Sequence, residues 1–330
     1  MGSDPLQYLI KNYAVQSPPG EEDYLSAHWK VCLERLQIKT SQDHGILSIS
    51  AKNTGLDTFE RKGFIDSALE WINIVVHWLF LPRKIKMITL SAKAMPLCKA
   101  MRRPFNFDVF RQLYVLALVE ESPLLKAQKH SPNILMIGDG HGVLSAVFKT
   151  VFPESRLVLV DLGKTLLVQA YHCQLAHPLK KHVLFNEANP ALESDFVYCP
   201  TEFLESLEGF RFDIAINIVS MHEMNRLSIC RYFDFLRKNM NKENLFYCCN
   251  REYKQFGGEE KILFSDYPWK PEDPIFFDGY CPWHQIYLSR RGAKNGPSLC
   301  GRRIPWVCYY HSYESGYGRV LHRLCTVSLD

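Results

Sequence analysis

The stretch Asn133-Ile-Leu-Met-Ile-Gly-Asp-Gly-His-Gly142, continued by Val143 to Val151 and then by Arg156-Leu-Val-Leu-Val-Asp161, decides the fold. Ile134 to Ile137 is a short apolar run ended by glycine, which suits a strand buried on both faces. Gly138, Gly140 and Gly142 allow a tight turn and close backbone approach to a ligand. Val143, Leu144, Val147, Phe148 and Val151 have helical spacing, and Pro153 follows the end of that helix. Leu157 to Val160 is a second apolar run, closed by Asp161. Strand, glycine turn, helix, strand and acid make one βαβ unit, which binds a ribose-bearing cofactor outside the carboxyl ends of its strands.

The glycine spacing narrows the cofactor. A dinucleotide fingerprint requires G-x-G-x-x-G, but the position three after Gly140 is Val143, so a dinucleotide oxidoreductase is disfavoured. The third glycine comes one residue early, as G-x-G-x-G, a form that resembles the loop of Rossmann-like S-adenosylmethionine-dependent methyltransferases. Asp161, nineteen residues after Gly142, would accept hydrogen bonds from both ribose hydroxyls. In the plainer reading, the glycines only turn the chain and Asp161 caps a helix.

A chain of 330 residues holds one large α/β domain with an extra segment, or two domains. A hydrophobic fraction of 47% and a charged fraction of 22% are ordinary for a globular protein. A net charge of +4, with 12 scattered histidines, argues against a nucleic-acid partner. The 11 cysteines are odd in number and include no C-x-x-C, so a disulfide scaffold is not indicated. Cys248 and Cys249 sit in an apolar run that packs. The amino terminus, Met-Gly-Ser-Asp-Pro, lacks the pattern of a signal peptide, so a reduced, cytoplasmic location is expected.

Taken in order, residues 1 to about 60 show one helix, Tyr24 to Leu36, with Leu25, Trp29, Leu33 and Leu36 on one side. Asp66 to Leu81 forms a second, with Asp66, Glu70, Asn73 and His77 as a polar stripe on an apolar cylinder. It is too short and too striped for stable insertion across a membrane. Arg83, Lys84 and Lys86 after it suit a membrane surface, but burial in an amino-terminal lobe, or a contact in a homo-oligomer, is the expected reading. Asn106 caps a helix running to Glu121 with Phe107, Phe110, Leu113, Tyr114, Ala117 and Leu118 inward. A helical region, 1–125, thus leads into an α/β domain, 126–330. There Lys164 to Leu175, Thr201 to Leu207 and Arg226 to Lys238 are predicted helices. Phe196 to Cys199, Phe212 to Val219 and Leu245 to Cys249 are predicted strands, and Arg319 to Leu329 a closing edge strand, antiparallel to a mostly parallel sheet. Residues 251–318, rich in Tyr, Trp, Pro and Arg, suit an insertion of the lid type.

Four blocks resemble the sugar O-methyltransferases of the S-adenosylmethionine-dependent superfamily: Ile-Gly-Asp-Gly-His-Gly at 137–142; Val-Asp-Leu at 160–162 with Leu-Leu-Val-Gln-Ala-Tyr at 166–171; Phe-Asp-Ile-Ala-Ile-Asn-Ile-Val-Ser-Met-His-Glu-Met at 212–224; and Phe-Tyr-Cys-Cys-Asn at 246–250. The likeness runs from about residue 105 to 270 plus the last strand, and the third block is the most specific. It implies a Rossmann-like class I sheet, S-adenosyl-L-methionine as cofactor and a saccharide acceptor. It implies a cofactor set of Gly138, Asp139, Gly140, Gly142, Asp161, Leu162 and Ser220. One departure stands out: the superfamily has an acid two residues before the first glycine, and this chain has Met136. Asp139 is the candidate substitute.

Methyl transfer from a sulfonium is an in-line displacement, dominated by alignment, and a hydroxyl acceptor needs a base. His222 and Glu223, in the turn after the fourth strand, are the candidate catalytic pair, with Asn250 at the end of the fifth strand. The plainer reading has Glu223 capping the next helix and His222 packing. Asn217, Arg251 and His284 are candidates for holding the acceptor, with Arg290 and Arg291 weaker ones and Trp283 and Tyr287 as stacking rings. No compact metal-ligand spacing stands out, so no metal is expected. A non-sugar acceptor, or a cofactor-binding scaffold without turnover, remain as alternatives.

Overall fold

The computed structural model describes residues 5–13, 25–40, 46–50, 63–122, 131–185, 194–255, 261–280, 286–288, 298–304, 306–309 and 319–330. The candidates His284, Arg290, Arg291 and Trp283 lie outside the described residues, as does the predicted domain boundary at 125/126.

The helices α1 (Pro5–Tyr13) and α2 (Ala27–Arg35), a hairpin of β1 (Gln37–Thr40) and β2 (Ile46–Ser50), and the helices α3 (Phe64–Phe80), α4 (Lys84–Ala100) and α5 (Phe107–Glu120) come first. Next come β3 (Asn133–Ile137), α6 (Val143–Val151), β4 (Arg156–Asp161), α7 (Gly163–Ala176), β5 (His182–Leu184), β6 (Phe196–Pro200), β7 (Phe212–Ile218), α8 (Arg226–Asn239) and β8 (Met240–Arg251). After the short pair β9 (Tyr253–Gln255) and β10 (Lys261–Leu263) lie β11 (Ile275–Tyr280), β12 (Ile286–Leu288), β13 (Ser298–Leu299), β14 (Arg302–Arg303), β15 (Val307–Tyr309) and β16 (Val320–Cys325). Thr201–Leu207, predicted as a helix, is a 3₁₀ turn.

An eight-stranded sheet in the order β11-β16-β8-β7-β3-β4-β6-β5 forms the centre. All its pairings are parallel except those of β16, which runs against both β8 and β11. The strand order and the mostly parallel pairing make this a Rossmann-like sheet. The closing strand is not the edge, however: β16 lies one place in, and β11 covers it. The predicted insertion therefore begins later than residue 251, because Arg251 ends β8 and residues 275–280 belong to the sheet. Ile275, Phe276 and Phe277 in β11 are exposed, so no buried apolar run marked this strand.

Side chains alternate cleanly across the sheet. Ile134, Met136, Leu157, Leu159, Ile214 and Ile216 face one core with α6 and α7. Leu135, Ile137, Val158, Val160 and Ala215 face a second core with Ile229, Phe233 and Leu236 of α8. Burial on both faces is why these strands read as unbroken apolar runs. The first core also takes in Leu9 of α1, Met87 and Leu90 of α4, and Phe110 and Leu113 of α5, so the amino-terminal helices are a layer of the same core. Asn106 caps α5, its Oδ1 accepting from the Val109 N–H at 2.9 Å.

The helix α3 departs from the expected burial. Its polar stripe faces inward: Glu70 accepts from the Phe107 N–H at 2.7 Å, and the Asn73 amide both donates to the Leu288 carbonyl (3.0 Å) and accepts from the Leu288 N–H (2.8 Å). Asn73 and His77 are buried, whereas Trp71, Val75, Leu79 and Phe80 are exposed. The helix thus docks through its polar stripe together with Leu69 and Ile74, and the rest of its apolar surface stays outside.

Candidate functional site

The winding of the sheet reverses beside β3: the chain builds outward through β4 and β6, then returns to β7 on the other side. A crevice opens at such a reversal, outside the carboxyl ends of the strands. Here it is a cavity of about 300 Å³ lined by residues 136–141, 160–162 and 218–220 together with Glu223, Met224, Ser228, Tyr232 and Arg251. That volume falls at the lower end of small-molecule sites.

The glycine loop forms one wall. Gly138, Gly140 and Gly142 all have positive φ, at 70°, 64° and 76°. A Cβ on Gly138 would stand 2.0 Å from the Ser220 Oγ, so neither conformation nor space admits another residue. Gly142 is not on the wall; it starts α6 and lets that helix pack on the Gln169 backbone. Asp139 is on the wall, and its Oδ2 accepts from both the N–H (2.9 Å) and the Oγ (2.5 Å) of Ser145, near the start of α6. One carboxylate oxygen is thus committed to tying loop to helix. Met136 contributes an apolar floor in place of an acid.

Asp161 lines the same cavity from the end of β4 and is 8% exposed. Its Oδ1 accepts from the Leu162 N–H at 2.8 Å and its Oδ2 from Gln169 Nε2 at 2.5 Å. Burial pushes its carboxyl up to about 7, against those donors and the Gly140 N–H. Burial likewise pushes Asp139 up to about 7. Both carboxyls hold protons in the folded chain that the unfolded chain releases near pH 4, so this contribution to stability is complete below that pH and is lost as pH rises through about 7. The melting temperature of the ligand-free chain should therefore fall between about pH 5.5 and pH 8, and Asp161→Asn should flatten the slope. An identical slope in the variant would contradict the assignment.

Val219 carries the chain off β7 with φ 55°, a costly conformation for a β-branched residue. Its N–H donates to the Cys249 carbonyl at 2.7 Å, and the turn delivers Ser220 and Glu223 to the cavity. Glu223 accepts from the ammonium of the buried Lys254 at 2.9 Å. Burial lowers the Lys254 pKa, and Glu223 opposes that shift.

Three candidates are placed behind the wall, which corrects their expected roles. His222 is 0% exposed and does not line the cavity; its Nδ1 lies 3.0 Å from Asn250 Oδ1, which also accepts from the His222 N–H at 3.1 Å. Asn250, also fully buried, donates from Nδ2 to Asn217 Oδ1 at 2.8 Å. Asn217 donates to the Ile137 carbonyl (3.0 Å) and to Ser220 Oγ (3.2 Å), and accepts from the Met221 N–H (3.2 Å). The two amides stitch β3, β7, β8 and the turn together, and neither lines the cavity. Truncating Asn250 takes the acceptor away from the His222 N–H and ring nitrogen, and removes one of the two donors to Asn217 Oδ1, all in the buried interior. Asn250→Ala should therefore cost about 2–4 kcal/mol in urea unfolding, and a loss under about 0.5 kcal/mol would contradict this. Nor does Glu223 cap α8; that is Asn225, whose Oδ1 accepts from the Ser228 N–H at 2.8 Å.

The wall also holds residues that were not singled out from sequence. Asp108, Arg111 and Gln112, on the polar face of α5, line it. Asp108 accepts from Arg111 at 2.5 Å and from Gln112 Nε2 at 3.0 Å. Thr201 and Tyr232, linked hydroxyl to hydroxyl at 3.0 Å, line it beyond Asp161, and Trp29 of α2 contributes to its rim. Gln112 Oε1 and Ser228 Oγ are buried polar atoms with no partner among the described residues, both belonging to lining residues. No cluster of metal-ligating side chains occurs among the described residues.

No protein-family model and no curated protein sequence matches the chain. Among solved structures, it is similar to an S-adenosylmethionine-dependent methyltransferase from Agrobacterium tumefaciens, at 12% identity and a TM-score of 0.38 over 66% of this chain and 62% of that one. It is also similar to a TehB-like S-adenosylmethionine-dependent methyltransferase from Corynebacterium glutamicum, at 11% identity and a TM-score of 0.35 over 66% of this chain and 95% of that one. This chain thus spans less than two thirds of the Agrobacterium protein. Likenesses this distant add nothing to the strand order and the cavity.

Proposed function

We propose that the chain binds S-adenosyl-L-methionine in this cavity and transfers its methyl group to a hydroxyl oxygen of a sugar or glycan precursor. The observation that carries the reading is a buried carboxyl, Asp161, lining one crevice with a positive-φ glycine loop at the reversal of the sheet. The stranded atoms Gln112 Oε1 and Ser228 Oγ fit a ligand rich in donors and acceptors.

Asp161 would accept from the ribose hydroxyls, with Leu162, Thr201 and Tyr232 beside the base and the backbone at Gly138 and Gly140 along the amino-acid tail. Asp108, Arg111 and Gln112 offer that tail acceptors for an ammonium and a donor for a carboxylate, in place of the acid absent at Met136. The cofactor supplies an electrophilic methyl carbon. The chain aligns the acceptor and takes its proton, and of the two candidate bases Glu223 is the one on the wall. Lys254 holds Glu223 in position, and Arg251 and Trp29 supply a charged donor and an aromatic face that suit a polyhydroxylated acceptor.

Incubation with methyl-labelled S-adenosylmethionine, a panel of sugars and cell extracts tests the proposal. Label on a saccharide oxygen is the expected result. Label only on non-sugar molecules would overturn the acceptor class, and cofactor binding without transfer to any acceptor would overturn the enzymatic reading.

A further inference from the structure

We propose that the outer face of α3, with the adjoining face of α4, docks on a lipid surface that carries anionic headgroups. The polar contacts of Glu70 and Asn73 fix the rotation of α3, and they leave Phe64, Trp71, Ile72, Val75, Leu79 and Phe80 pointing outward. Phe64 is 89% exposed and Phe80 65%. On α4, Ile85 (83% exposed), Ile88 and Met95 extend the same kind of surface. Scattered exposed apolar residues need no explanation, but Trp71, Ile72, Val75 and Leu79 recur three, four and seven apart on one side of α3, and an apolar face of this kind marks a contact with something apolar.

The charges identify the occupant. Residues 71–107 contain no Asp or Glu, but hold Arg83, Lys84, Lys86, Lys93, Lys99, Arg102 and Arg103. Arg83 and Lys86 are paired with Glu121 and Glu120. Lys84, Lys93, Lys99 and Arg102 are exposed, with no ion pair among the described residues. The Lys84 ammonium stands 5.9 Å from the centre of the Trp78 ring. An apolar helix face bordered by unpaired cations is the pattern of an interfacial helix: the rings enter the acyl boundary and the cations meet acidic headgroups. A two-fold contact between copies of the chain would gather the cations of both into one interface to which residues 71–107 supply no acid. A helix of 17 residues is about 25 Å long, short of the hydrocarbon thickness. No helix among the described residues is long and apolar enough to cross a membrane, so docking is lateral.

Flotation of the full chain with vesicles of phosphatidylcholine, or of phosphatidylcholine mixed with phosphatidylglycerol, tests this. The chain should float with the anionic vesicles, stay behind with the neutral ones and be released by high salt. The double variant Val75→Glu/Leu79→Glu should reduce partitioning by at least about tenfold with little change in melting temperature, since neither side chain is buried in the core. Lys84→Glu/Lys93→Glu, which leaves the apolar face intact, should also reduce partitioning and blunt its salt dependence. A chain that never floats, or one whose partitioning is unchanged in both variants, would overturn the proposal. So would a dimer in light scattering that Val75→Glu/Leu79→Glu dissociates, because the face would then be a contact between copies.

Discussion

Asp161→Ala should lower affinity for S-adenosylhomocysteine by at least about a hundredfold in a calorimetric titration run well above the carboxyl's raised pKa of about 7, where it is ionised, because two hydrogen bonds to a charged acceptor, at roughly 1.5–3 kcal/mol each, disappear together. The effect is large because the carboxylate is 8% exposed, so water can do little to replace it as an acceptor. The alanine variant also strands the Leu162 N–H and the Gln169 amide that now donate to Asp161. Asp161→Asn separates the two effects. Its carbonyl oxygen can still receive the Leu162 N–H, while one ribose hydroxyl meets an amide donor in place of an acceptor. The asparagine variant should therefore unfold close to wild type and still bind at least about tenfold more weakly. An affinity within about threefold of wild type in Asp161→Ala would remove Asp161 from the binding site.

Glu223→Gln should reduce turnover by about 10²- to 10³-fold with affinity for S-adenosylhomocysteine unchanged. Both arms follow from position. Glu223 lines the cavity on the turn after β7, on a different element from the Asp161 end of β4, and is the acidic side chain that this turn exposes to a bound acceptor. Its bond to Lys254 keeps the side chain in one place, and glutamine preserves the shape but can no longer take a proton. His222→Ala forms the contrast. The imidazole lies behind the wall, bonded to Asn250, so its loss should appear in unfolding rather than as a selective loss of turnover. Near-wild-type turnover in Glu223→Gln would remove the proposed base.

The parts of the fold legible in the sequence are those where local pattern and final burial agree. Residues 134–137, 157–160 and 212–218 read as buried strands because both faces of the sheet are covered, leaving little room for polar alternation. The glycine loop and Asp161 were legible for a related reason: positive φ and a carboxylate at a strand end leave few residue choices. The failures have physical causes too. Helix α4 buries only Met87, Leu90, Ala94 and Cys98 and carries Pro96 in its interior, so its apolar period is faint. Strand β11 is an exposed edge. The polar stripe of α3 was visible, but its direction depends on Leu288, more than two hundred residues away in the chain. Within the site, Asp108, Arg111 and Gln112 stand at helical spacing on the side of α5 away from its apolar stripe, a pattern that usually means solvent. Asn217 and Asn250 sit at strand ends where a ligand contact and a structural amide look identical in one dimension; only the pairing of Nδ2 with Oδ1 at 2.8 Å tells them apart.

The central claim is that Asp161 and the loop at 138–142 hold one S-adenosyl compound between them. A crystal structure of the chain with S-adenosylhomocysteine tests it most directly. The ribose hydroxyls should lie on the Asp161 carboxylate, the base beside Thr201 and Tyr232, the sulfur facing Glu223, and the amino-acid tail along Gly138 towards Asp108 and Gln112. Density for the ligand at any other place on the chain, or a cavity at 138–142 that stays empty at saturating ligand, would contradict it.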